Sequence, residues 1–167
     1  MPSQIQIGVE EYFSTSFEDE DFEYVDGELL ERNVGDIDHA TLQTFTAAWF
    51  ASRRGELNLF PLVAVRTQVS PTRFRVPDLI VVRGSKPPGR IVTKPPFLIV
   101  EVLSPEDRVS RMEQKIDDYI RFGVAYIWVI DPVTSTGHIY TGGRRILVED
   151  GIFRAENPEI EIDLNTL

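Results

Sequence analysis

Apolar residues in this chain fall into two kinds of pattern. Pro96-Phe97-Leu98-Ile99-Val100-Glu101-Val102-Leu103-Ser104-Pro105 is a nearly unbroken branched run, and residues 59–65, 73–82 and 125–130 are similar. Such runs fit strands buried on both faces of a sheet better than alternating, half-wet strands. Between the third and fourth runs the spacing turns helical. At about 100° per residue, Val109, Met112, Ile116, Tyr119, Ile120 and Phe122 gather on one side, opposite Ser110, Glu113, Gln114, Asp117, Asp118 and Arg121. Ser104 is a suitable cap for this helix, Pro105 suits its first position, Glu106 and Asp107 suit its positive end, and Gly123 is a stop. A strand, a helix and a strand in direct succession predict that the two strands are parallel.

Upstream, residues 8–13 suggest a short helix, and Glu18-Asp19-Glu20-Asp21 reads as a solvated acidic loop. Asp26-Gly27 between two short strand-like segments, 22–25 and 28–31, predicts a hairpin with a two-residue turn. Residues 39–53 have helical character, with Asp38 as cap, Leu42, Phe45, Trp49 and Phe50 as the apolar stripe, and Gly55 as the end. A turn at Ser70-Pro71 joins the runs at 59–65 and 73–82. Residues 83–94, with Gly84, Pro87, Pro88, Gly89 and several bases, read as a mobile basic loop, which either tracks a phosphate backbone or is an ordinary connector. Segments 139–140, 145–148 and 152–153, with turns at Gly142-Gly143 and Asp150-Gly151, predict a C-terminal meander. The expectation is one α/β domain over residues 1–167, with a mixed central sheet flanked by helices and no repeat or linker.

Polar residues inside these apolar stretches carry the candidate chemistry. An ionised Glu101 in a buried strand requires a metal, a cation, hydrogen bonds or an exit to solvent. It suits a metal ligand at a strand end, or equally a carboxylate that reaches the sheet edge. Asp78 follows Pro77, which cannot donate to a ladder, so this acid is expected at a sheet margin or irregularity. Two carboxylates on neighbouring strands form an oxygen set suited to a hard divalent cation such as Mg2+. Lys115 falls inside the apolar side of the third helix, where a lysine either snorkels or, beside such carboxylates, orients an attacking water and offsets transition-state charge.

Composition bounds the reading. Without cysteine there are no disulfides or thiolate metal sites, and two histidines, His39 and His138, make a histidine-rich zinc site an unsuitable model. Met1-Pro2-Ser3-Gln4 lacks the basic and apolar parts of a secretion signal, and no apolar run approaches a membrane span, so a cytoplasmic protein without membrane contact is expected. A net charge of -10 argues against binding a polyanion, but its distribution is uneven: residues 53–121 carry thirteen bases and eight acids. That segment contains Asp78, Glu101 and Lys115. It forms either a basic working face on an acidic body or a scattered solvated surface.

Taken together, Val76-Pro77-Asp78, Phe97-Leu98-Ile99-Val100-Glu101-Val102-Leu103-Ser104-Pro105, the inward Lys115, Tyr119, Gly123-Val124, Trp128 and Asp131-Pro132 resemble the Uma-type restriction endonuclease family of the PD-(D/E)XK nuclease superfamily. Upstream the resemblance takes in Glu23-Tyr24-Val25-Asp26-Gly27 and His39, so it spans roughly residues 8 to 135. It implies a restriction-endonuclease-like fold and a Mg2+-dependent phosphodiesterase, with Mn2+ as a substitute and DNA as substrate. Asp78, Glu101 and the main-chain carbonyl of Val102 would be metal ligands, and Asp78, Glu101 and Lys115 the catalytic residues. The superfamily's usual lysine lies two residues after the Glu, where this chain has Leu103; in this family a helix lysine takes over, here Lys115. Glu23 is implied as an auxiliary ligand or water holder, and His39 as an auxiliary residue. Their bland counterparts are an exposed strand Glu and a locally hydrogen-bonded His. Arg111 and Tyr126 stand where relatives usually carry acids. Two other readings remain: a nuclease fold that binds nucleic acid or a partner without cutting, which those departures and the acidic balance suggest, and a homo-oligomeric structural or interaction module, for which the aromatic-rich surface would serve self-association; a homodimer is a partner expectation under any of them.

Overall fold

The computed structural model describes residues 6–14 and 22–167. Met1 to Gln4 and the acidic run at 18–21 lie outside the described residues. In chain order the elements are α1 (Val9–Ser14), β1 (Phe22–Val25), β2 (Glu28–Glu31), α2 (Ile37–Leu57), β3 (Leu59–Val63), β4 (Thr67–Ser70), β5 (Arg73–Arg75), β6 (Leu79–Arg83) and β7 (Leu98–Val102). Then come α3 (Val109–Phe122), β8 (Tyr126–Asp131), β9 (Thr136–Thr141), β10 (Arg144–Val148), β11 (Ile152–Ala155), β12 (Ile160–Asp163) and a 3-10 turn at Leu164–Thr166. A six-stranded sheet runs β10-β9-β8-β7-β6-β3, a four-stranded sheet β2-β1-β5-β4, and β11-β12 form a separate hairpin. The six-stranded sheet is mixed, since β7 and β8 are parallel, as the strand-helix-strand order predicts, and their neighbours are antiparallel.

Alternation along β7 divides the core. Leu98, Val100 and Val102 pack with Phe50 of α2, Trp128 of β8 and Phe153 and Ile162 of the β11-β12 hairpin. Ile99 turns the other way, to Ile116 and Tyr119 of α3. Glu101 shares the parity of Ile99, so the only acid of the strand points at α3. That register is what positions the site.

Several expectations need correction. The run at 73–82 is not one strand: it leaves the four-stranded sheet after Arg75 and enters the six-stranded sheet at Leu79. Pro77, with no N–H to give, sits in the break, and Asp78 follows it. β4 and β12 were not predicted; β4 is a short partner of β5 with an irregular register. α3 begins at Val109 rather than beside Ser104. Asp107 Oδ2 accepts the Ser104 N–H at 2.6 Å while Asp107 N–H returns to Ser104 O at 3.0 Å, a closed turn that competes with a helix start. Gly123 does end α3, in the left-handed region at φ 101°.

The cap of α2 is Asp36, not Asp38: its carboxylate accepts the His39 N–H at 2.9 Å. α2 also runs through Gly55 and ends on Asn58 at φ 52°. A mid-helix glycine costs only about 1 kcal/mol, which a long helix absorbs through packing elsewhere. Two apolar stripes are rotated from their expected positions. Phe45 is half exposed on α2, and on α3 Val109 and Ile120 are exposed whereas Asp118 is buried. Finally, the loop at 83–94 leaves the far end of β6, five residues and roughly 16 Å from Asp78. Arg83 stacks over Phe97 at 4.4 Å and donates to Asn157 O at 2.6 Å, so the loop is a connector and not a phosphate track at the site. Among the described residues no helix is long and apolar enough to cross a membrane.

Candidate active site

Glu101 and Asp78 meet where the β6-β7 ladder ends, just past the pair Leu79 and Val100. Beyond that pair Asp78 replaces the missing ladder contact with its side chain: Oδ2 accepts the Val102 N–H at 2.8 Å. The N–H and C=O of a strand residue point the same way, so the Val102 carbonyl also faces the Asp78 side, while Leu103 N–H turns to Ile130 O of β8 at 2.8 Å. Both acids are buried, at 4% and 2% exposure. Asp78 is further held by His39 Nε2 at 3.3 Å and Arg32 Nη2 at 3.2 Å, and Gln43 Nε2 donates to its main-chain oxygen at 2.8 Å.

Glu101 is held from α3. Tyr119 donates its hydroxyl to Oε1 at 2.5 Å, and one turn earlier Lys115 Nζ lies 3.1 Å from Oε2. The same ammonium is 3.4 Å from Glu23 Oε1 on β1. The structure therefore brings Asp78, Glu101, Val102, Lys115, Glu23 and His39 into one place, and the exposed-strand reading of Glu23 does not hold. Tyr126 lies elsewhere, packed on Phe97 with its hydroxyl accepting from Glu156 N–H at 3.1 Å. Arg111 stands at the rim, donating to Glu31 O at 3.0 Å.

Behind the site is a buried ion network that the sequence reading missed. Arg75, 2% exposed, donates to Glu23 Oε2 at 2.9 Å, to Asp118 Oδ2 at 2.8 Å and to Gln114 Oε1 at 3.2 Å. Val76 N–H adds a bond to Glu23 Oε1 at 3.1 Å, and Arg73 reaches Asp118 Oδ1 at 2.6 Å. The available signal was an arginine flanked by Phe74 and Val76 three residues before Asp78, together with Asp118 one turn beyond Lys115 on the same side of the helix. Arg32, which ends the hairpin and contacts Asp78, left no comparable signal.

The charges are unequal in consequence. Burial pushes the Glu101 carboxyl up, Lys115 pulls it down, and Asp78 and Glu23 push it up again, leaving it at about 7. Burial also raises Asp78, but the hydrogen bond and charge of His39, with Lys115 and the Val102 N–H, outweigh it and hold Asp78 below its ordinary value. Glu23 ends below its ordinary value as well, where Lys115 and Arg75 overcome burial. Burial disfavours the charge of Lys115, yet Glu101, Glu23 and Asp78 hold the ammonium above its ordinary range. The hydrogen bond to Asp78, against burial, raises His39.

These residues line a cavity of about 50 Å³ whose mouth carries Arg32, Arg108 and Arg111. That volume admits an ion with a few waters but no nucleotide. Among the described residues no three His, Asp or Glu side chains are grouped as a ready metal cage. The Asp78 and Glu101 carboxylates and the Val102 carbonyl are hard oxygens, a set that suits Mg2+ because that ion keeps several waters, while the Glu23 carboxylate in the same cavity is taken up by Arg75 and Lys115.

A family model described as "putative restriction endonuclease" matches residues 9–164. The chain belongs to the Uma2 family. Its fold is similar to the crystal structure of a "putative nuclease belonging to DUF820" from Anabaena variabilis, with a TM-score of 0.83 and 19% identity over 96% of this chain and 98% of the other. At that identity the likeness is one of fold, a mixed α/β nuclease-like architecture, as the Uma2-type resemblance implies. No curated protein matches the chain significantly.

Proposed function

We propose that this Uma2 protein is a metal-dependent nuclease that hydrolyses DNA phosphodiester bonds, with Asp78, Glu101 and Lys115 as catalytic residues. The observation that carries this is two buried carboxylates and one buried-stem lysine converging on a small cavity with an arginine mouth; family membership supports it. Asp78, Glu101 and the Val102 carbonyl would hold Mg2+, or Mn2+ in its place. When bound, the ion supplies Lewis acidity toward the phosphate and lowers the pKa of a bound water. Tyr119 fixes the orientation of Glu101, and the Val102 N–H, His39 and Arg32 fix Asp78. Lys115 is placed to orient the attacking water through its ammonium and to counter charge developing on the phosphate oxygens. Glu23 holds Lys115 in position and stays ionised while doing so. Arg32, Arg108 and Arg111 receive the flanking phosphates, which makes binding salt-dependent.

The test is hydrolysis of single-stranded, duplex and supercoiled DNA with Mg2+ or Mn2+, comparing wild type with Asp78→Asn. Cleavage that survives in the variant, or salt-dependent binding by wild type with no cleavage under either metal, overturns the proposal. A second measurement uses pH. Below about pH 7 Glu101 carries a proton that the ion must displace, so Mn2+ affinity should fall about tenfold per pH unit below 7 and level off above it. Calorimetric titration at pH 6 and pH 8 reads this directly. Equal affinity at both values counts against Glu101 as a ligand.

A further inference from the structure

The two ends of the six-stranded sheet are treated differently. At the β3 edge, Ala64 N–H bonds Asp78 O and Asn58 O accepts from Gly84 N–H, so even-numbered residues face β6 and odd-numbered ones face outward. Pro61 is one of the outward residues, and its missing N–H blunts that edge. The smaller sheet is covered too: Gln6 bridges to Glu28 on β2, and Val92 exchanges main-chain bonds with Arg66 and Gln68 beside β4. β10 has no such device. It pairs with β9 in five consecutive register positions without proline or bulge, and among the described residues no strand pairs with its outer side. Ile146 and Leu147 on it are 40% and 57% exposed.

The sequence of this edge is self-complementary. The two-residue turn Gly142-Gly143 makes Thr141 and Arg144 the first hydrogen-bonded pair with β9, so Arg144, Ile146 and Val148 bond inward and Arg145 and Leu147 face outward, with Glu149 the next residue past the strand's end. Two copies of Arg144-Arg145-Ile146-Leu147-Val148-Glu149-Asp150 laid antiparallel can pair outward residue with outward residue in only a few registers. Centred on Leu147, Leu147 meets its own copy, each Arg145 is set toward the Glu149 of the other copy, and Ile146 lies beside Val148. One register shift toward the turn sets Arg145 opposite Leu147 and loses both charge pairs, and the next brings Arg145 against Arg145. Cross-strand pairs of opposite charge stabilise an antiparallel ladder and like charges destabilise it. Charges that ordinarily protect an edge are therefore arranged here to select one partner.

We propose that β10 is a homodimerisation edge, joining two copies of this chain about a two-fold axis through Leu147 into one continuous sheet. Such an interface is isologous and closes on itself. β10 runs in the same direction as β7 and β8, and the axis reverses it in the partner. The two Glu101 sites therefore open at opposite ends of the joined sheet.

The experiment is sedimentation velocity of the full chain over a concentration series, with circular dichroism as the check on folding. Wild type should move from monomer to dimer with increasing concentration. Arg145→Glu and Glu149→Arg should each weaken dimerisation at least about tenfold, because each sets two like-charge pairs across the axis. Arg145 also contacts His138 and stacks near Tyr140, whereas Glu149 makes no such contact among the described residues, so the second variant is a check on any local effect of the first. Mixed in equal amounts, the two single variants should form a heterodimer. The carboxylate introduced by Arg145→Glu in one copy then meets the guanidinium introduced by Glu149→Arg in the other, and the unaltered Glu149 and Arg145 pair on the far side of the axis. A wild type monomeric at every accessible concentration, a dimer indifferent to both substitutions, or single variants that stay apart when mixed would each overturn the proposal. None of these outcomes depends on nuclease activity.

Discussion

Lys115→Ala should lower DNA hydrolysis by about a hundredfold or more while leaving DNA affinity nearly intact, because a lost donor in a preorganised site costs roughly 3 kcal/mol in the transition state. Its ammonium lies 3.1 Å from Glu101 and 3.4 Å from Glu23 and is not one of the mouth arginines that meet flanking phosphates. Lys115 is also the charge that pulls the Glu101 carboxyl down. Its loss must therefore move Glu101 further up and shift the alkaline-going limb of the rate profile to higher pH. The two roles separate in one measurement. If raising the pH restores the full rate of Lys115→Ala, the lysine only keeps Glu101 ionised; if the deficit persists on the plateau, it acts on the reacting atoms. Unchanged hydrolysis at all pH values would return Lys115 to a snorkelling residue with no part in catalysis.

The fold was readable to the extent that burial is written in local pattern. The β7-α3-β8 unit has long runs, a clear change of period and a glycine stop, and its parallel pairing follows from connection length alone. Asp26-Gly27 likewise supports a hairpin whose turn residues have positive φ, 50° and 98°. What failed was local competition. Asp107 closes a turn on Ser104 before the helix can start, and Pro77 splits one apolar run between two sheets, which a window average cannot see. The centre of the site was readable because an acid in an apolar strand is an anomaly wherever it occurs. Its support was not: Arg75 and Asp118 are each unremarkable in sequence, and they join Glu23, which only the family resemblance singled out, in a network when β1, β5 and α3 are brought together, at sequence separations of 43 and 52 residues.

That difference between working charges and supporting charges makes opposite predictions for stability. Glu101 has a folded-state carboxyl raised from 4.5 to about 7, so the stability associated with it is fully present below about pH 4.5 and is lost as pH rises through 7. Glu101→Gln removes that loss, and the metal-free variant should be at least as stable as wild type at pH 8. Arg75→Ala should behave in the opposite way. Its guanidinium is 2% exposed and bridges two buried acids, Glu23 and Asp118, at 2.9 and 2.7 Å. Removing one member of a buried ion pair costs about 3–5 kcal/mol, because the remaining charge stays desolvated and unpaired. Arg73 retains a contact with Asp118, and Lys115 one with Glu23, which should hold the loss within that range rather than above it. Glu23 is kept ionised partly by Arg75, so in the variant it should take up a proton more readily, and the deficit should narrow as pH falls toward 5. Urea denaturation at pH 5 and pH 8 measures both terms. A loss under about 1 kcal/mol at pH 8 would show that solvent reaches this network, and Glu23 would then have to be oriented for Lys115 by Val76 N–H alone.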